Sequence, residues 1–224
     1  MGQQAEIEWR AGLVPVSTRF DDPYFSLENG LAETAHVFLT GNGLPERFCD
    51  GFHIAELGFG TGLNLLATLH LWRASGRKGT LRYSTFEAFP MAPGDMATAQ
   101  SAFPELAPLG AELLPFWQSG NRSFTHAGPH FEMIAGDARA TLPAWDGAAD
   151  AWFLDGFSPA KNPELWQPDL MAQVHAHTAP GGTLATYTAA GFVRRGLAEA
   201  GFDVTRAPGF GRKRHMTTAR KPAQ

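Results

Sequence analysis

Residues 52–64 read Phe52-His53-Ile54-Ala55-Glu56-Leu57-Gly58-Phe59-Gly60-Thr61-Gly62-Leu63-Asn64. A short apolar run, Phe52–Ala55, enters glycines, and helical spacing begins at Leu63 and continues to Trp72. A strand that turns through glycines into a helix is a place to bind a small charged ligand. The missing side chains let the backbone approach, and the helix N-terminus offers unpaired N–H groups and the positive end of its dipole. Dinucleotide loops place their third glycine three residues after the second, whereas Gly60 and Gly62 are two apart. The carboxylate of Glu56, two residues before Gly58, would repel a pyrophosphate. It suits a ligand that carries both an ammonium and a carboxylate.

Beyond the loop, apolar runs alternate with helical spacing. Leu81–Glu87, Phe131–Ala135, Ala151–Leu154, Thr183–Thr188 and Phe202–Thr205 read as strands, and Ala92–Ala102, Glu164–His177 and Phe192–Ala200 as helices. This interleaving predicts an α/β fold, a mostly parallel, Rossmann-like sheet with helices on both faces. Ligands then bind outside the carboxyl ends of the strands, and Glu56, Glu87, Asp137 and Asp155 stand at such ends. Glu87 is placed to accept from two ribose hydroxyls. Asp137 is placed to accept from an adenine amino group, or else to cap the next helix. Asp155 opens the loop Gly156-Phe157-Ser158-Pro159-Ala160-Lys161-Asn162-Pro163, stiffened by its prolines, which would hold an acceptor against a donor.

Two segments break the alternation. Residues 1–50 are expected to form a β-rich extension with a tight turn at Gly41–Gly43, and 51–224 the Rossmann-like domain. Residues 103–130, rich in proline and aromatics, are expected to be a lid or recognition insert within it.

The chain has 224 residues, 44% of them hydrophobic, enough for one well-packed domain. Cys49 is the lone cysteine, so no intrachain disulfide is possible and no cysteine cluster can hold a metal; it is expected to be buried. The eight histidines are scattered, and no metal is expected. No stretch has the length and apolarity to cross a bilayer, nothing in Met1–Arg10 resembles a signal peptide, and a cytoplasmic location is expected. Net charge is −4, but from Gly191 to Gln224 eight basic residues face two acidic ones, leaving +6 there and −10 on the rest. A basic end on an acidic body is the asymmetry expected where one face meets a polyanion.

The pattern Glu-x-Gly-x-Gly-x-Gly at 56–62 resembles the first motif of class I S-adenosylmethionine-dependent methyltransferases. More specific are Asp155–Trp166, Asp21–Ser26, Gly41-Asn42, Thr188–Arg195 and Gly209–Arg214, which with the glycine loop resemble the methyltransferase domain of the MnmC family, in order and over nearly the whole chain. The resemblance implies methylation of 5-aminomethyl(-2-thio)uridine at the tRNA wobble position, with Asp155 facing the acceptor amine. The donor, S-adenosyl-L-methionine, would lie over Glu56, Gly58, Phe59, Gly60, Thr61, Gly62 and Asn64, with Glu87, Asp137 and Asp155 around it. Arg122, Lys161, Asn162, Arg194, Arg195, Arg212, Lys213 and Arg214 would meet tRNA. Two departures stand out. No second glycine-rich fingerprint follows for a flavin-dependent oxidase domain, so the chain resembles a stand-alone form whose aminomethyl precursor comes from a separate enzyme. Asn121-Arg122 stands where the family pattern has His-Arg. Three other readings are a methyltransferase of a small amine or another nucleic-acid position, a binding module without catalysis, and an NAD-dependent oxidoreductase. The glycine spacing disfavours the last.

Overall fold

The computed structural model describes residues 4–10, 12–26 and 29–223. A small antiparallel sheet comes first: β1 (Ile7–Arg10), β2 (Val14–Ser17) and β3 (Asp22–Pro23). Residues 30–42 are helical: α1 (Gly30–Thr34), a π turn (Ala35–Leu39) and a 3-10 turn (Thr40–Asn42) that ends at left-handed Gly43. The extension is therefore β-rich only in its first half. Nor is residue 50 a boundary in the core, because Val37, Phe38, Leu44 and Phe48 pack in one cluster with Ile54.

The main sheet has eight strands in the order β10-β11-β9-β8-β4-β5-β7-β6. Its parallel centre is β4 (Phe52–Leu57), β5 (Leu81–Glu87), β7 (His130–Ala135), β8 (Ala149–Leu154) and β9 (Thr178–Thr186). Antiparallel strands close both edges: β6 (Ser123–Thr125) on one, and β11 (His215–Arg220) with β10 (Asp203–Pro208) on the other. The chain starts in the middle at β4, runs outward through β5 to β7, and then crosses to β8 on the other side of β4. That reversal is the topological switch point, where a crevice opens above the strand ends.

Strand alternation divides the core into two layers. Ile54 and Phe153 face α2 (Leu63–Ala74) and α4 (Ala107–Gln118), packing with Leu65, Leu113 and Trp117. Leu57, Trp152 and Leu154 face α6 (Pro168–Ala176) and α7 (Gly191–Glu199), packing with Leu170, Val174, Val193 and Leu197. Two further short helices are α3 (Pro93–Gln100) and α5 (Ala138–Thr141), and 3-10 turns lie at Pro104–Leu106, Leu142–Ala144 and Pro163–Trp166. The segment 103–130 holds α4 and β6, and buried Leu109, Leu113 and Trp117 make α4 part of the core rather than a free lid. Cys49 is exposed, a correction to the expected burial: it sits in the loop before β4, outside the stripe that Phe48 and Phe52 bury.

Candidate active site

A cleft of about 1380 Å³ opens at the switch point. Its floor joins the two motifs directly. Leu57 pairs with Leu154 across β4 and β8, and the Asp155 N–H donates to the Leu57 carbonyl at 3.0 Å. Gly58 has φ +87°, and a Cβ there would lie 2.5 Å from the Asp155 carbonyl oxygen. Only glycine permits this approach of the two loops.

Glu56 shares strand parity with Phe52 and Ile54, so its side chain enters the layer beneath α2. It is 0% exposed and does not line the cleft. This corrects the expectation of direct ligand contact. Asn64, at the start of α2, stands between Glu56 and the cleft. Its Nδ2 donates to Glu56 Oε1 at 2.9 Å and to Asp155 Oδ2 at 2.7 Å, while its Oδ1 accepts from Thr34 Oγ1 at 3.0 Å. Burial pushes the Glu56 carboxyl up to about 8, against the Asn64 hydrogen bond, with the nearby Asp155 charge adding to the rise. Burial likewise pushes half-buried Asp155 up to about 7, opposed first by Asn64.

The other acids are partly engaged. Glu87 Oε2 accepts from the N–H groups of Phe59 (2.9 Å) and Gly60 (3.1 Å), and Oε1 from that of Phe89 (2.8 Å), so this carboxylate shapes the glycine loop while lining the cleft. Asp137 caps α5 through the Arg139 N–H and pairs with the Arg139 guanidinium at 2.6 Å, which holds its carboxyl below the usual range. Of the two expectations for Asp137, capping is the one on display, and the residue still borders the cleft. Phe59, Gly60, Thr61 and Asn64 line the cleft, whereas Gly62, at φ +74° beneath the Phe59 ring, does not.

The expected substrate residues divide. Arg122, Asn162, Arg212 and Lys213 line the cleft; Lys161, Arg194, Arg195 and Arg214 do not. Lys161 is spent within the chain: its Nζ pairs with Asp21 Oδ2 at 2.8 Å and also donates to the Asp21 carbonyl. Lys213 Nζ is paired with Glu33 Oε1 at 2.7 Å. Arg194 is half-buried in α7, while Arg195 and Arg214 are exposed.

Several participants were not singled out from sequence. Asp22 Oδ2 accepts from the Ser158 N–H at 2.8 Å, fastening the N-terminal sheet to the Asp155 loop. The Phe157 ring stacks on Phe20 (4.9 Å) and meets Tyr24 edge-on (5.0 Å), forming an aromatic wall of the cleft. Tyr187 donates to the Gly156 carbonyl at 2.8 Å. Asp22 and Tyr24 lie within the Asp21–Ser26 motif and Tyr187 directly precedes the Thr188–Arg195 motif, but nothing in the sequence pointed to Glu33.

A model of S-adenosyl-L-methionine-dependent methyltransferases matches residues 105–222, just over half of the chain. The chain belongs to that family. It is 46% identical over 222 residues to the tRNA 5-methylaminomethyl-2-thiouridine biosynthesis bifunctional protein MnmC of Caulobacter vibrioides, covering 96% of this chain and 38% of that protein. For MnmC of Stutzerimonas stutzeri the identity is 44%, with 96% and 34% covered. The chain thus spans well under half the length of these curated relatives. Among solved structures, MnmC2 of Aquifex aeolicus superposes with a TM-score of 0.77 at 27% identity, over 99% of this chain and 72% of that one.

The methyl donor of the family is S-adenosyl-L-methionine, and the cleft suits it. The donor carries a sulfonium cation and an ammonium, and the carboxylates of Glu87, Asp137 and Asp155 border the cleft. The glycine loop brings Gly58, Phe59, Gly60 and Thr61 to the cleft just before the N-terminus of α2. Among the described residues no group of His, Cys, Asp and Glu could hold a metal ion, and no helix is long and apolar enough to cross a membrane.

Proposed function

We propose that this protein is an N-methyltransferase that converts 5-aminomethyl(-2-thio)uridine to 5-methylaminomethyl(-2-thio)uridine at the wobble position of tRNA, in the cytoplasm. The observation that carries the reading is the Asn64 link, which holds the donor loop and the acceptor loop at one point of the cleft. The names and identities of the MnmC relatives support the substrate.

The donor supplies an electrophilic methyl group on sulfonium. The rest falls to this chain. Asp155, its carboxyl raised to about 7, can take a proton from the acceptor amine near neutral pH. Phe20, Tyr24 and Phe157 form an apolar wall against which a uracil splayed from the anticodon loop can stack. Glu87 and Asp137 serve the ribose and adenine end of the donor. Arg122, Arg195, Arg212 and Arg214 contact phosphates, so binding weakens with salt.

The test is tRNA from a strain blocked before the final methylation, incubated with the protein and labelled donor and analysed by nucleoside mass spectrometry. Appearance of 5-methylaminomethyluridine is the expected result. Donor-bound protein that leaves the tRNA unmethylated refutes the assignment.

A further inference from the structure

Lys213 Nζ lies 2.7 Å from Glu33 Oε1 and 4.5 Å from the centroid of the Tyr187 ring. All three residues line the same cleft as Asp155. The Glu33 side chain is 13% exposed and that of Lys213 48%, so the anion is fixed by the fold and the cation is the solvated, movable member. Tyr187 is anchored by its hydroxyl on the Gly156 carbonyl, one residue after Asp155. Burial holds that hydroxyl protonated, and the charges of Asp155, Asp22 and Glu33 push the same way.

A carboxylate beside an aromatic face is a receptor for an amine cation. Here the receptor already contains one, a primary ammonium supplied by the chain itself. We propose that Glu33 and Tyr187 form the box that recognises the protonated amine of the acceptor, and that Lys213 is its internal occupant, displaced when substrate enters. This rests on the aminomethyl reading above. The charged groups that face Asp155 are Glu56 from β4, Glu33 from α1 and Lys213 from the loop before β11. Asp22, from β3, reaches the same region through Tyr187.

The proton count closes. The acceptor arrives as R–NH3+, and one N–H proton passes to the Asp155 carboxylate. The freed nitrogen lone pair forms the N–CH3 bond as the donor's C–S bond breaks and leaves its electron pair on sulfur. The product departs as a secondary ammonium. The box gives specificity for an amine over a hydroxyl or an unmodified uridine, neither of which offers a cation. Lys213 sits in the run Arg212-Lys213-Arg214, so on leaving the box it joins a solvated basic strip.

The alternative is that the pair merely clamps α1 to the loop before β11, and the two readings diverge in single variants. A clamp loses equally from either side. A receptor loses more with Glu33→Gln than with Lys213→Met, which empties it. With aminomethyl-bearing tRNA, Glu33→Gln should raise KM roughly tenfold or more with a smaller change in kcat. Its donor Kd by calorimetry should stay within about twofold of wild type. Lys213→Met, which also removes one cation from the basic strip, should raise KM by less than Glu33→Gln does. Equal rises in both variants, or an unchanged KM in Glu33→Gln, overturn the box. Methylammonium gives a readout independent of tRNA. Saturation-transfer NMR should detect it on Lys213→Met and not on the Glu33→Gln/Lys213→Met double variant, and equal signals on both overturn the box. If the wild type leaves the tRNA unmethylated while methylammonium behaves as expected, the tRNA assignment fails and the box stands.

Discussion

Asn64 and Asp155 are joined by a hydrogen bond of 2.7 Å from Nδ2 to Oδ2, and the same nitrogen holds buried Glu56 at 2.9 Å. One amide therefore ties the strand before the glycine loop to the loop that Asp155 opens. Asn64→Ala leaves Glu56 without this donor and frees the Asp155 carboxylate to turn. An unsatisfied buried polar group costs about 1–3 kcal/mol, and a chain of this size loses roughly 2–4 °C of Tm per kcal/mol. We expect Tm to drop by roughly 2–12 °C and kcat to fall about tenfold or more as Asp155, the proposed base, loses its orientation. Thermal unfolding and single-turnover methyl transfer measure the two effects. A full-rate Asn64→Ala enzyme would remove this residue from the positioning of Asp155.

Asp155 must be ionised to accept a proton. Its carboxyl titrates at about 7, raised by burial against the Asn64 hydrogen bond. The methyl-transfer rate should therefore climb with pH through about 7 and level off above. Asp155→Asn cannot take the proton, so it should lose about 10²–10⁴ in rate together with that acidic limb. Donor binding should survive, since the amide keeps the shape. The rate profile from about pH 5 to 9 decides the matter: a limb that persists in Asp155→Asn belongs to another group.

How much of this could be read from the sequence follows from where the interactions lie. The turn at Gly58–Gly62 and the acid-ended strands are local patterns, and they were legible. Helix α4 was not, because Pro108, Gly110 and Pro115 mimic a loop. Its Leu109, Leu113 and Trp117, four residues apart, are the buried stripe that signals the helix. Strand β11 was hidden because Arg214, His215 and Arg220 make it look like a solvated tail, while Met216, Thr217 and Ala219 face inward. The pairings of Lys161 with Asp21 and of Lys213 with Glu33 join residues far apart in the chain. No spacing rule announces such contacts, so both lysines read from sequence as free cations.

Asp22 bears on dynamics. Its acceptance of the Ser158 N–H at 2.8 Å, beside the Lys161–Asp21 pair, straps the loop after Asp155 to β3. Asp22→Ala should release the strap and leave the floor of the donor site intact. We expect kcat/KM for tRNA to fall about tenfold, an unchanged donor Kd, and faster tryptic cleavage after Lys161. Cleavage at the wild-type rate would show that the loop needs no strap.

Glu56 and Asp155 also set how stability responds to pH. Their carboxyls sit at about 8 and about 7 in the folded chain, against ordinary values of 4.5 and 3.8, with burial the largest cause in each. Between those limits the folded state keeps protons that the unfolded state has released. Stability must then fall as pH rises. The contribution is fully present below the unfolded values and is lost as pH passes through about 7 and about 8. Asp21, Glu112 and Asp137, whose carboxyls are lowered, act in the opposite sense in the acid range, and His53 and His175, whose rings burial holds below their ordinary 6.5, oppose the fall up to about that pH. Glu56→Gln keeps the oxygen that accepts from Asn64 and cannot ionise. Wild-type Tm should decline between about pH 6.5 and 9, where the two imidazoles no longer oppose it, and Glu56→Gln should decline less. The variant should also bind donor much as the wild type does, because Glu56 lies behind Asn64 and not in the cleft. Identical Tm slopes for the two proteins, read by differential scanning calorimetry, would mean that Glu56 is ionised across the whole range and that Asn64 stabilises a pair of anions.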